Sequence, residues 1–218
     1  MIRSSARRIS LLSLLALSLP VLIGLALPEL ADAQERTYRI RRDGGSRITF
    51  VSDAPLETIN GVSSELGGAL QIDPRDLGAT RGTVSVPVSS IRTGVDLRDE
   101  HLRGDTWLDA AHHPDATFQI TGVSGASTLE PNQEARLRIS GRFTIHGVTR
   151  ALTARARVIW IPLTDEMRRT PGINGDVIRA RARFTIQLTD FGISVPSIVR
   201  LKVSNEIVVT VNLRAIAE

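Results

Sequence analysis

Four histidines, His101, His112, His113 and His146, offer the most versatile chemistry near neutral pH, as general bases or metal ligands. Their spacing argues against both. No His-x-x-x-His or comparable ligand pair occurs, and the adjacent His112 and His113 point to opposite sides of an extended chain. The chain has no cysteine, which removes thiolate catalysis, cysteine metal sites, disulfides and a lipidated cysteine anchor. Ser89 and Ser90 lie in a turn-like stretch rather than a Gly-x-Ser-x-Gly elbow, so their hydroxyls are expected to satisfy backbone groups. No phosphate-cradling glycine loop precedes a helix. Asp73, Asp76, Asp96, Asp99 and Asp105 fall in turns and on one predicted helix, where carboxylates cap or face water. What remains is binding without bond-making, with no cofactor. An enzyme acting on an amphiphilic small molecule is kept as an alternative, because an apolar pocket holding one acid leaves no motif.

Several of these polar residues crowd into residues 95–118, the one stretch where two-residue alternation breaks down. It reads as a helical plug or lid between strands. Asp96 is the expected N-cap, with Asp99 three positions on completing a carboxylate version of the capping box. Leu97, His101 and Leu108 share one helical face beside Trp107, and His101 is expected to be a capping or core-polar residue satisfied by an Asp or by backbone. Pro114 stops the helix and pushes His113 into an extended conformation, so the next strand starts at Thr117.

Around that stretch, alternation with β-branched residues recurs from Tyr38 onward, punctuated by Gly44-Gly45, Pro131-Asn132, His146-Gly147 and Asn174-Gly175. The pattern predicts an antiparallel all-β domain with strands at 38–41, 47–52, 59–73, 82–88, 117–122, 134–145, 151–163, 177–189 and 203–214. Residues 166–176 read as an exposed loop.

Parity along three successive strands is the most informative detail. Leu137, Ile139, Phe143 and Ile145 share one face with Leu152, Ala154, Ala156, Val158 and Trp160, and with Ala180, Ala182, Phe184, Ile186 and Leu188. That face must be interior. The opposite face carries Arg136, Arg138 and Arg142, then Arg155 and Arg157, then Arg179, Arg181 and Arg183, and must be wet. Four inward alanines stand where a packed core would take large side chains, so in an eight-stranded barrel they line a cavity unless aromatic rings or the Trp107 segment fill it. On the outer face arginines oppose one another, so they are expected to pair with loop acids or to lie against anionic lipid headgroups.

Residues 1–33 read as an export signal: Arg3, Arg7 and Arg8 form a basic start, 9–27 an apolar core and Ala31-Asp32-Ala33 a cleavage box. The apolar core is also long enough for a retained anchor, against which Pro20 and Gly24 argue. The whole chain has 27 bases and 23 acids; removing the leader's three arginines and two acids leaves 24 against 21, a net charge of +3. That balance is too mild for a nucleic-acid binder. The remaining residues, 34–218, fit one domain with a substantial core.

Four ordered motifs then resemble the exported YceI-like family. Residues 84–104, Val-Ser-Val-Pro-Val-Ser-Ser-Ile-Arg-Thr-Gly-Val-Asp-Leu-Arg-Asp-Glu-His-Leu-Arg-Gly, are similar to its strand, Ser-Ile-x-Thr turn and Arg-Asp-x-His-Leu helix. His113-Pro114-Asp115-Ala116-Thr117-Phe118, the hairpin from Gly141 to Thr149, and Asp190-Phe191-Gly192-Ile193 resemble three further family motifs. The resemblance implies an extended, eight-stranded antiparallel lipocalin-like barrel with a short helix inserted between strands. It implies export to the periplasm or beyond the cell, after cleavage near Ala33, and a lumen that in some members binds a polyisoprenoid or other long amphiphile. Two departures stand out: Phe50-Val51-Ser52 runs into Asp53 where the family usually has His, and Leu188 stands where many members have Arg. The expected ligand is apolar or amphiphilic, polyisoprenoid, quinone-like or fatty-acyl. Phe50, Phe118, Phe143, Val158, Trp160, Phe184 and Ile186 would hold its chain, Trp107 and Leu108 would cap one end, and a polar head would lie near His101 or Arg98. A scaffold with a filled lumen, working through its basic outer face, is the other alternative, and an anionic membrane surface is a candidate partner.

Overall fold

The structure, a computed structural model, describes residues 35–218; the predicted leader, residues 1–33, lies outside them. Ten strands follow in order: β1 (Arg36–Ile40), β2 (Arg47–Asp53), β3 (Thr58–Ser63), β4 (Gly67–Asp73), β5 (Asp76–Pro87), β6 (Asp115–Ser124), β7 (Glu134–Ile145), β8 (Val148–Ile161), β9 (Val177–Gln187) and β10 (Glu206–Ala217). Two short helices interrupt them, α1 (Asp96–Arg103) and α2 (Asp165–Arg168).

The ten strands make eight staves. β1 and β2 both pair antiparallel with β10, along successive parts of its length, and β4 and β3 pair with β1 and β2 in the same way. Each pair is therefore one long strand with a break, the first at residues 41–46 and the second at 64–66. From β4 the ladder runs through β5, β6, β7, β8, β9 and β10 in sequence, and β10 closes it on β1 through Tyr38–Ala217 and Arg39–Ile216. The result is the closed, eight-stranded antiparallel barrel expected from the sequence. Closure through β1 and β10 leaves β3, among the described residues, as the one strand with an unpaired side, which limits edge-to-edge association.

The expected single strand over 59–73 is split because β3 and β4 head for different neighbours. Gly68 (φ 140°) and Gly82 (φ 147°) let β4 and β5 coil tightly against each other; a Cβ at either would meet a carbonyl oxygen of the facing strand at 2.1 and 2.3 Å. β3 makes no ladder with β5 and meets the following loop through the Val62–Arg92 bridge and a hydrogen bond between the Ser63 and Ser90 hydroxyls (2.6 Å). The barrel wall is thus open on that side at one end, and α1 covers the opening.

The inward parity holds. Leu137, Phe143, Ala154, Ala156, Val158, Ile186 and Leu188 are buried, while all eight outward arginines of β7, β8 and β9 are exposed. Phe143 sits edge-on to Phe184 and Phe191 with centroids 5.5 Å apart in each case, and Phe184 stacks on Phe118 at 6.3 Å. At the opposite end Asp176, expected in an exposed loop, is buried. Its carboxylate accepts hydrogen bonds from Arg36 (2.8 Å), Trp160 Nε1 (3.2 Å) and the Leu163 amide (2.9 Å), pinning the α2 loop under the barrel. Beside it burial, reinforced by that carboxylate, pushes the Tyr38 hydroxyl up to about 12.

The loop acids expected to pair with the outward arginines are largely missing. Arg157 reaches Glu134 at 3.7 Å and Arg142 bonds Gln119. Arg136 faces Arg157, Arg138 faces Arg155, Arg155 faces Arg183 and Arg157 faces Arg181 across the ladders.

Candidate functional site

The barrel's interior is hollow at the α1 end. A cavity of about 520 Å³ runs inward from the mouth, and a second chamber of about 100 Å³ continues it toward the closed end. Both are walled by Ile48, Val86, Ala116 and Phe143, so they form one tapered, apolar lumen. Inward-facing Ile48, Phe50, Phe118, Ile139, Ala180, Ala182 and Phe184 remain only half-buried although they point into the barrel, which is what residues facing a vacancy do. The size falls within the range of small-molecule sites.

Of the predicted ligand-contacting residues, Phe50, His101, Trp107, Leu108, Phe143 and Ile186 line the upper cavity, and Phe118, Phe143 and Phe184 line the lower chamber. Val158 and Trp160 line neither: Val158 is buried in the wall, and the Trp160 indole is turned to Asp176. The inward alanines act as expected at three positions, Ala154, Ala180 and Ala182, which leave the lower chamber its width. Residues without a periodic signal complete the mouth, among them Ile59 and Val62 from β3, Ile91 before α1, and Val199 and Val203 before β10.

The helix over the mouth differs from its prediction. Val95, not Asp96, is the N-cap residue, and no side chain caps the helix; Asp96 is its first residue. Asp99 instead turns back to accept from the Thr93 amide (2.7 Å) and hydroxyl (2.6 Å) and is almost fully buried. Burial opposes its ionisation, yet the two Thr93 hydrogen bonds, with Arg103 and Arg92 nearby, hold the carboxyl below its ordinary 3.8. The helix ends at Gly104, so Leu108 belongs to the turns that follow rather than to the same helical face; it is buried, while Leu97 and His101 are exposed at the mouth. His101 is therefore neither a cap nor a core residue.

Across the mouth Arg98 acts as a strut. Its Nη1 donates to Glu57 Oε1 (2.6 Å), its Nε to the Thr93 hydroxyl (2.9 Å) and its Nη2 to the Thr93 carbonyl (3.3 Å). The loop between β2 and β3 is thereby tied to α1, and the same loop is tied to the segment before β10 through Leu56 N and Leu201 O (2.8 Å). The remaining histidines lie outside this site: His112 bonds Asp109, His146 bonds the Phe191 carbonyl, and His113 packs edge-on against His146 at 5.6 Å.

A family model described as YceI-like domain matches residues 38–215, nearly the whole barrel. The chain belongs to the YceI-like family. Among curated relatives, a UPF0312 protein of Vibrio parahaemolyticus is 29% identical over 139 residues, covering 63% of this chain and 69% of that protein. A UPF0312 protein of Shewanella sp. is 30% identical over 143 residues, covering 65% and 72%. Of solved structures, a polyisoprenoid binding domain from Saccharophagus degradans superposes with a TM-score of 0.64 at 17% identity, covering 85% of this chain and all of that one. Burkholderia cenocepacia BcnA gives 0.63 at 17% identity over 80% of this chain and 98% of its own. At these identities the likeness establishes the fold. Within the YceI-like barrel the two sequence departures part company: Leu188 is buried against the cavity, whereas Asp53 is exposed outside it and accepts from the Thr58 hydroxyl (2.5 Å). Ser52, beside Asp53, lines the cavity with Leu188, and its hydroxyl accepts from Ser204 N (2.9 Å).

Proposed function

We propose that this protein is an exported, non-catalytic carrier that holds the chain of a polyisoprenoid, quinone-like or fatty-acyl amphiphile in its lumen, for storage, transport or sequestration. The observation that carries the reading is the tapered apolar lumen open at one end. Each methylene moved from water into such a lumen contributes about 0.8 kcal/mol, so a chain of about ten carbons outweighs association costs of several kcal/mol. Phe50, Phe118, Phe143, Phe184 and Ile186 contact the chain, Trp107 and Leu108 close over it, and the polar head sits at the mouth beside Arg98 and His101. Support also comes from the Saccharophagus neighbour, which is described as polyisoprenoid binding. The leader motif in residues 1–33 supports delivery to the periplasm or outside the cell, with cleavage near Ala33.

Mass spectrometry of an organic extract of the purified protein tests this directly. A co-purifying long-chain species is expected; repeated empty extracts from the native host would refute it. A scaffold working through its outer face is the second reading, favoured by the directly opposed arginines of β7, β8 and β9, for which an anionic membrane surface is the candidate partner. An enzyme would instead turn over a bound amphiphile and lose that turnover on His101→Ala with the barrel intact.

A further inference from the structure

Five large apolar side chains are strongly exposed among the described residues: Leu56 (68%), Val95 (49%), Leu97 (61%), Ile198 (91%) and Leu201 (57%). They come from three separate segments, yet all five belong to the loops and the start of α1 that rim the lumen. Leu56 precedes Glu57 and is bonded to Leu201; Val95 and Leu97 line the mouth themselves; Ile198 and Leu201 flank the mouth residues Val199 and Lys202. Elsewhere on the described surface large apolar residues are buried or half-buried. A patch of this kind marks a contact surface.

We infer that this collar docks the open end of the barrel onto a lipid bilayer, so that cargo passes between the membrane and the lumen without crossing water. The inference rests on the carrier reading above. The collar is continuous with an apolar hole, and hydrocarbon is the partner that covers rim and hole together. The charges fit the same occupant. Residues 199–202, Val-Arg-Leu-Lys, alternate apolar and basic side chains after Ile198; Arg200 and Lys202 are exposed, with no ion pair to a carboxylate among the described residues, and Lys202 is the only lysine in the chain. Cations interleaved with inserted aliphatics suit the headgroup layer, where long basic side chains reach phosphate while their stems stay buried. On the far side of the mouth α1 exposes Asp96 and Glu100, so the net attraction to anionic lipid is small and insertion of the collar carries the binding.

The experiment is flotation of the purified protein with phosphatidylcholine vesicles, with and without phosphatidylglycerol. Wild type is expected to float with both, slightly more with the anionic lipid. The triple substitution Leu56→Ser, Ile198→Ser, Leu201→Ser, at collar residues that do not line the cavity, lowers the partition coefficient on the order of a hundredfold. Arg200→Gln with Lys202→Gln removes only the anionic increment. Circular dichroism and the organic extract are read on the same variants. An extract retained in the triple variant isolates docking from cargo binding, and an extract empty in wild type refutes the carrier reading whatever the vesicles do. The docking inference is overturned if folded wild type ignores both vesicles, if it floats only with anionic ones, if the triple variant floats like wild type, or if the collar instead holds two copies together as a dimer that the triple variant dissolves.

Discussion

Whether the lumen is vacant is decided by the sign of one substitution, Ala182→Leu. Ala182 points into the barrel, is half-buried, stands opposite Ala156 on β8 and Val211 on β10, and lines the lower chamber of about 100 Å³. Leu adds three carbons. If they enter empty apolar space, the transfer gain is at most about 2.4 kcal/mol at about 0.8 per carbon, and about 1 kcal/mol once the compactness of the unfolded chain is allowed for. If the space is filled, the same carbons overpack the wall and cost about 1–3 kcal/mol. Ala156→Leu is the internal control, because Ala156 is 4% exposed and lines neither chamber. Urea unfolding followed by tryptophan fluorescence, with the m-value unchanged, reads the difference as a shift of midpoint. Ala182→Leu is expected to be neutral or stabilising while Ala156→Leu loses more than about 1 kcal/mol. Equal losses at both positions would refute a hollow barrel and, with it, the carrier.

Arg155 faces Arg138 on one side and Arg183 on the other, so Arg155→Glu turns two repulsions into two attractions; about 1–2 kcal/mol of stabilisation, or a melting temperature a few degrees higher, is expected at low salt and should vanish near 1 M salt. Asp176→Ala leaves Trp160 Nε1 and the Leu163 amide without their acceptor and frees Arg36; a loss of about 3 kcal/mol in chemical denaturation and a red-shifted tryptophan emission are the expected readouts. Because the Asp99 carboxyl is held below its ordinary 3.8, its contribution is complete above that value and is lost as pH falls through the lower folded value; hydrogen exchange should show α1 loosening there before the barrel strands, and Asp99→Asn should abolish the pH dependence of that opening. Glu57→Gln removes the counter-charge of Arg98, so displacement assays should show the preference for a fatty acid over the matching fatty alcohol rising on the order of tenfold; an unchanged ratio would mean the head does not meet Arg98.

The wall was legible because its residues obey a period of two. In β7, β8 and β9 each arginine alternates with an aliphatic or aromatic side chain, and a side chain on a strand has only two directions to choose from, so parity alone separates lumen from solvent. The mouth was not legible for the converse reason. Leu56, Thr93, Val199 and Lys202 lie in irregular segments, and what brings them together is the break between β3 and β4 and the missing β3–β5 ladder, neither of which any local pattern announces. Asp99 shows the limit most clearly. Its position three after Asp96 fits a capping box, but its carboxylate is captured by Thr93, six residues upstream, because the loop there needs an acceptor. Asp176 is the same case at the other end: a turn-forming sequence hides a buried acceptor for groups that arrive from β1, β8 and the residues just after β8.

That division also locates selectivity. A wall of Phe, Ile, Val and Ala treats one hydrocarbon chain much like another, and one methylene more or less is worth only about 0.8 kcal/mol, so chain identity is read weakly and mostly by length against the taper closed by Phe118 and Phe184. Polar recognition is sharper, because an unpaired buried donor is costly. The charged residues that line this lumen, Glu57, Arg98, His101 and Lys202, all stand at its mouth, and the best placed of them, Arg98, already has its charge answered by Glu57 while two of its five N–H groups are left over by Glu57 and Thr93. A head that accepts hydrogen bonds without bringing net charge fits that remainder better than a carboxylate or phosphate does. On the carrier reading, the residues that set this barrel's choice of head group should therefore be sought in the three rim segments and not in the staves.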